Sequence, residues 1–395
     1  MNAIRTAAVI GGGIAGHTAA LALQKAGIEA TVYEGYASSA EKVGGPIALA
    51  ANGVAALSVI GAESAVVDNS YPISGQVTRI GARTISMPSL PDLPAMRIVL
   101  RQDLYAALQQ LAAGRGIATH YGKRLIGAEE EPDGVTARFE DGSSVAADLI
   151  IGADGVHSTV RKLIDPDAPG PHYTGLLSVD GHAVVDVGDP DVMSFAFGSK
   201  AYYLFWRHPD GGTVWGANLP RSTALSVRQA RGIGSDEWQQ TLLETYGSDD
   251  PGGELIRRTP ADRLNATGAL SIMPSVPHWS RGRLVIIGDA AHAPSNSSGQ
   301  GASLAIESAI ELAKCLRDAS SIEAATAAYQ ALRRPRVERI ARQASRINRT
   351  KTPGRFGQVV AASIMPVVMA AMMRPEKIFG PTLRYRIDWD AAVGV

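Results

Sequence analysis

Residues 7–34 read "AAVIGGGIAGHTAALALQKAGIEATVYE". An apolar run over Ala7–Ile10 stops at three glycines. Small and apolar residues then recur at helical spacing to Lys25, and Ala26-Gly27 supplies a stop. A second apolar run, Ala30–Tyr33, ends at Glu34. Strand, glycine turn, helix, strand and acid in this order predict the opening of a parallel βαβ layout. Gly11 permits a tight exit from the strand, Gly13 lets backbone approach a pyrophosphate, and Gly16 lets the helix pack closely. The amides at the helix start, around Ile14 and Ala15, would face negative phosphates. Glu34, 18 residues after Gly16, is placed to accept hydrogen bonds from an adenosine ribose. An acid there suits a ribose without a 2′-phosphate. FAD and NAD both satisfy this, so the first loop does not choose between them.

Two later loops repeat the theme. In "GADGVHSTVR" (152–161), Asp154 follows an apolar strand and precedes Gly155. Taken alone, an Asp-Gly is a turn. In "GRLVIIGDAAHAPSNSSGQGASLAIESAIELA" (282–313), Asp289 again closes an apolar strand. Gly299 and Gly301 free the backbone just before a helix, a second place where amides could meet a phosphate or a polar cofactor edge.

Composition sets the outer limits. The chain has 395 residues, 45% hydrophobic and 19% charged, enough for a sizeable core and more than one packed region. Lys+Arg and Asp+Glu are each 38, and no basic block stands out, which argues against a nucleic-acid partner. The single cysteine, Cys315, sits in an apolar helical pattern and reads as a buried thiol. A reducing, cytoplasmic setting fits it. Phe356–Met373 is 18 residues without a charge, but Pro366 and several alanines make a packed C-terminal helix pair the expectation, not a membrane span. No HExxH or cysteine cluster suggests a metal.

After about residue 172 the texture turns to short β-like runs, among them "DVMSFAFG", "KAYYLFWR" and "GTVWGANLP". The α/β texture returns after 280. We therefore expect an α/β protein in which a Rossmann-like domain (1–70, 99–170 and 279–345) carries an inserted, mainly antiparallel β-sheet substrate domain (71–98 and 171–278). A C-terminal helical extension (346–395) follows.

The three loops together resemble the class A flavoprotein monooxygenases of the p-hydroxybenzoate hydroxylase and salicylate hydroxylase type. That family carries an N-terminal GxGxxG, a central "DG" and a late "GD", and all three occur here in order. The resemblance covers most of the chain and is weakest in 171–278 and after 345. It implies that Gly11, Gly13, Gly16 and Glu34 bind the ADP half of FAD. It implies that Arg101, in "VLRQDL", reaches the pyrophosphate and ribityl region, where a planar guanidinium suits phosphate oxygens. Asp154 would help bind FAD and border the pyridine-nucleotide approach, and Asp289 would hold a ribityl hydroxyl. Gly299, Gln300, Gly301 and Ala302 would present backbone near the flavin pyrimidine, while Gly44 and Gly45 would run beside the isoalloxazine. Family members often place a proline four residues after the "GDAAH" histidine; here that position is Asn296, with Pro294 two residues earlier.

The implied activity is an FAD-dependent monooxygenase. It would use NADH or NADPH and O2 to hydroxylate an aromatic or polycyclic small molecule through a C4a-hydroperoxyflavin. An epoxidase, a Baeyer–Villiger oxygenase or a flavin dehydrogenase or reductase would share the scaffold, and a non-catalytic FAD-binding protein is the reading outside enzymes. His292, Arg207 and His208 are weak catalytic candidates, and the loop position of His292 equally suits a structural role. Of Tyr202, Tyr203, Phe205, Trp206 and Trp215, an alternating subset is expected to line an apolar cavity while its neighbours pack.

Overall fold

A computed structural model of the chain describes residues 4–38, 45–350 and 375–394. The uncharged 356–373 stretch lies outside the described residues. Among those described, no helix is long and apolar enough to cross a membrane.

The apolar runs near residues 7, 149 and 284 become neighbouring strands of one sheet. Its order is Ser280–Arg281, Leu284–Ile286, Leu149–Gly152, Thr6–Ile10, Glu29–Tyr33 and Thr119–His120. All neighbours are parallel except the edge pair of Ser280–Arg281 with Leu284–Ile286. Such strands read as continuous apolar runs because helices cover both faces. Val9, Leu149, Ile150, Ile151, Val285 and Ile286 are accordingly buried. Helix Ile14–Lys25 follows the first strand as expected and packs on helix Gly301–Asp318. Cys315 is buried in the latter, and burial pushes its thiol up to about 12.

A second sheet has seven strands, in the order Leu264–Ile272, His172–Ala183, Thr213–Pro220, Tyr202–Arg207, Val192–Phe197, Gly75–Ile80 and Arg83–Ser86. Alternation decides what each face does. Leu177, Val179, Tyr203, Phe205, Trp215, Ala217 and Leu219 point to one side, beneath helices Ser235–Tyr246 and Gly252–Arg257. The opposite side carries Met193, Phe195, Leu204, Trp206 and Val214, which pack toward Ile73, Met96 and Ile98. Those last residues belong to a small antiparallel sheet of Pro46–Leu49, Met96–Leu100 and Tyr71–Ile73. The stretch 71–98 thus divides between two sheets: Gly75–Ile80 and Arg83–Ser86 join the large one, whereas its ends pair with each other and Met96–Leu100 pairs also with Pro46–Leu49.

The chain end folds back on the long helices. Arg317 donates to the Trp389 carbonyl at 2.6 Å, and Arg336 donates to the carbonyls of Pro381 and Thr382 at 2.9 and 3.0 Å.

Candidate functional site

Each motif loop leaves the carboxyl end of a strand in the parallel sheet, and the sheet order makes these strands neighbours. Ile10 lies in register with Tyr33 on one side and Gly152 on the other, and Gly152 with Ile286. Backbone bonds continue past the strand ends: Gly11 donates to Tyr33, Ala153 to Ile10 and Ile287 to Gly152, at 2.8, 2.7 and 2.9 Å. The chain turns to opposite sides of the first strand, which makes this edge a switch point, where open α/β sheets bind ligands.

Glycine is required at two positions of the first loop. Gly11 has φ +102°, and a Cβ there would lie 2.5 Å from the Ala153 carbonyl oxygen. A Cβ at Gly16 would strike the Gly11 carbonyl. By contrast, a Cβ added at Gly13, Gly299 or Gly301 would meet nothing within 4 Å. These three mark open space bordered by backbone, as a phosphate or a flat ring lying against the main chain requires. The loops also interlock, because Gly288, at φ +56°, approaches Ala15 so closely that its Cβ would lie 2.9 Å from the alanine methyl.

Glu34 accepts from the Gly12 amide at 2.7 Å and from the Tyr36 amide at 2.8 Å, one on each carboxylate oxygen. Each oxygen keeps acceptor capacity for a ribose hydroxyl. Arg101 opens helix Arg101–Gly114 and is exposed. Asp289 is solvent-accessible yet closely surrounded by protein; burial raises its pKa and the charge of Arg101 acts against that rise. Asp154 spends its carboxylate locally, accepting from Ser158 Oγ at 2.5 Å and from the Thr159 and Val160 amides at 2.7 and 3.2 Å. Its backbone packs close to Gly11 of the first loop. The buried Arg161 joins the second and third loops by donating to the carbonyls of Val156 and Ala290, at 2.6 and 2.9 Å.

The remaining candidates separate. Gln300 is buried and accepts from Asn52 at 2.9 Å, while Ala302 is partly buried in the first turn of its helix. Asn296 reaches the large sheet, donating to Asn218 at 3.1 Å, with Pro294 partly buried beside it. His292 is buried against Ser308 at 2.8 Å, and burial together with Arg333 lowers its pKa to about 3. It is neutral and faces the core. Arg207 pairs with Asp186 at a strand end. The His208 ring lies 5.2 Å from those of Tyr71 and His182, and burial lowers its pKa. Gly45 touches Asp180, while Gly44 lies outside the described residues. The aromatic run divides by alternation, as expected: Tyr203, Phe205 and Trp215 belong to the helix-covered core. Trp206 is on the other face, donating to the Tyr71 hydroxyl at 2.6 Å.

The open space at Gly13, Gly299 and Gly301, the free acceptor capacity of Glu34 and the charges of Arg101 and Asp289 fit a flavin dinucleotide. The model of the family described as "FAD binding domain" matches residues 5–344. The chain belongs to this family. It is 30% identical over 338 residues to aurachin C monooxygenase/isomerase from Stigmatella aurantiaca, covering 83% of this chain and 85% of that one. It is 32% identical over 358 residues to a 3-amino-4-hydroxybenzoate 2-monooxygenase from Streptomyces platensis, covering 85% and 86%. Among solved structures, a single-substitution variant of Klebsiella pneumoniae HpxO complexed with FAD superposes with a TM-score of 0.81 at 25% identity, covering 95% of this chain and 97% of that one. This protein is an FAD-dependent monooxygenase.

Three polar residues were not singled out from the sequence: His17, Asp180 and Asn218. His17 is buried under the first loop, 3.3 Å from Thr119 Oγ1 and edge-on to Tyr105, and burial lowers its pKa. A lone histidine on an apolar helix carries no signal of its own. Asp180 and Asn218 lie on alternating strands, and alternation does not say which face meets the cofactor domain.

Proposed function

We propose that this monooxygenase uses NAD(P)H and O2 to place one oxygen atom on an aromatic or polycyclic small molecule, held between the large sheet and the small three-stranded sheet. The observation that carries this is the convergence of three motif loops on one sheet edge, with Asn296 of the third loop bonded to Asn218 on the large sheet. That contact sets the cofactor loops beside a sheet face that is apolar at Phe195, Leu204 and Val214.

Bound FAD supplies the reactivity toward O2 that organic substrates lack. The protein supplies placement. Gly11, Gly13 and Gly16 shape the phosphate turn, and Glu34 offers two oxygens to a ribose. Arg101 offers a fork to phosphate, Asp289 a carboxylate to a sugar-like hydroxyl, and the backbone at Gly299, Gln300, Gly301 and Ala302 an edge for a ring. Arg161 keeps the second and third loops at a fixed separation. Phe195, Leu204 and Val214 present an apolar wall that orients a ring and limits water at the reacting atoms.

The test is the visible spectrum of the purified protein, then anaerobic reduction with NADH or NADPH, then re-aeration under 18O2 with a panel of aromatic compounds. One 18O atom in a product, with NAD(P)H consumed in step, supports the proposal. Flavin that is reduced but yields no 18O-labelled product refutes oxygenation in favour of a reductase, and protein that neither holds nor binds FAD refutes the cofactor.

A further inference from the structure

Asp180 lies on His172–Ala183, the second strand of the large sheet, on the face opposite the helices. Its register partners are Gly216 on one side and Asn265 on the other. Ser178, one step along on the same face, pairs with Asn218, the residue that Asn296 reaches. The carboxylate also presses on the chain just before Pro46–Leu49: a Cβ at Gly45 would lie 2.8 Å from Asp180 Oδ2. Sheet, third loop and Gly45 segment therefore meet around this one acid.

Its hydrogen bonding is incomplete. Asn265 Nδ2 approaches both oxygens at 3.4 Å, long for an amide donor. Among the described residues no cation pairs with it. On its own strand and face stand Ser178 and His182, the latter engaged with the Gly211 carbonyl at 3.0 Å; from neighbouring elements come Gly216, Asn265, the backbone of Gly45 and, opposite Ser178, Asn218. Burial raises its pKa to about 6, so at neutral pH it is an ionised and poorly solvated acceptor. Such a group gains most from a donor brought by a ligand.

Resting on the oxygenase reading above, we propose that Asp180, steadied by Asn265, is the specificity-determining residue of the substrate site. Its carboxylate accepts a hydrogen bond from a ring O–H or N–H of a neutral aromatic substrate and disfavours an aromatic carboxylate at the same place. Asn265 acts through Asp180 and is a positioning residue.

The test uses FAD-loaded, oxidised protein without reductant and follows the flavin absorption during titration with two matched probes, quinolin-4-ol and quinoline-4-carboxylate. Wild-type protein is expected to bind quinolin-4-ol at least about 10-fold more tightly than the carboxylate. Asp180→Asn is expected to narrow that ratio by about 10-fold, chiefly by relieving repulsion of the carboxylate, and Asn265→Ala to narrow it by about 3-fold. FAD content reports whether each variant folds. Wild-type protein that holds FAD but does not discriminate, or an unchanged ratio in both FAD-loaded variants, overturns the role of Asp180. Wild-type protein that holds no FAD overturns the oxygenase reading first, and this proposal with it.

Discussion

Glu307→Gln tests how the third loop is held. Glu307 is fully buried in helix Gly301–Asp318 and serves two guanidinium groups. Arg336 donates to both of its oxygens at 2.8 Å, and Arg333 lies 2.8 Å from Oε2. Asn52 adds a donor at 2.7 Å and donates also to Gln300 at 2.9 Å, so the network runs to the start of the helix beside Gly299 and Gly301. Burial alone would raise the pKa of Glu307; the two arginines outweigh it and hold the group below its ordinary value. The glutamine variant keeps the volume and part of the bonding but leaves Arg333 and Arg336 without a counter-charge. Removing one partner of a buried ion pair costs about 3–5 kcal/mol. An unfolding entropy of ~2.1 cal/mol/K per residue over 395 residues is ~0.8 kcal/mol/K, so Tm should fall by about 4–6 °C. Calorimetry at matched FAD concentration and scan rate measures the shift, and FAD dissociation should quicken in parallel. A change under about 1 °C would show that the pairing contributes little, and the reasoning from burial and charge would be wrong.

Four further substitutions have outcomes set by the geometry. Gly13→Ala, which places a methyl in open space, should leave apo stability within about 1 kcal/mol but weaken FAD binding at least ~10-fold. Gly16→Ala, which drives a methyl onto the Gly11 carbonyl, should cost about 1–3 kcal/mol and lose the cofactor as well, so equilibrium dialysis and thermal melts together distinguish the two. His292 has a depressed pKa in the fold, so it contributes stability that is present above pH ~6.5 and is lost as pH falls toward 3. His292→Gln should shift acid unfolding, followed by circular dichroism, to lower pH, while turnover at pH 7.5 stays within about 3-fold; a turnover loss above about 100-fold would make His292 a base after all. Asp180 has a raised pKa, so the fold loses stability as pH climbs from about 4 through 6. Asp180→Asn should therefore raise Tm at pH 7.5, by up to ~4 °C, with the gain shrinking as pH falls toward 4. A gain that did not vary with pH would have another origin.

Much of the cofactor region is legible locally. Strand, glycine turn and helix over 6–25 follow from steric freedom at Gly11 and Gly16 and from 3.6-residue periodicity, both of which act over a few residues. The apolar runs 149–152 and 284–286 likewise declare buried parallel strands. The roles of individual side chains were less legible. The Asp154 carboxylate caps its own short helix, a competition between local bonding and ligand binding that the letters Asp-Gly do not resolve. His292 sits in a loop by sequence, yet its ring enters the core because Ser308, on the following helix, lies within hydrogen-bond reach.

From the sequence alone one obtains the class of fold, the three loops and a dinucleotide cofactor, because glycine positions, acids at strand ends and apolar periods are set by near neighbours; that the dinucleotide is FAD came from the family resemblance of the three loops together. Tertiary structure decided the rest. Sheet order brought loops separated by more than a hundred residues onto one edge, through pairings such as Ile10 with Gly152. It also chose which face of the seven-stranded sheet is covered by helices, sending Tyr203, Phe205 and Trp215 into that core and leaving Asp180 and Asn218 toward the loops. A strand's alternation defines two faces but labels neither; only packing against the other elements does.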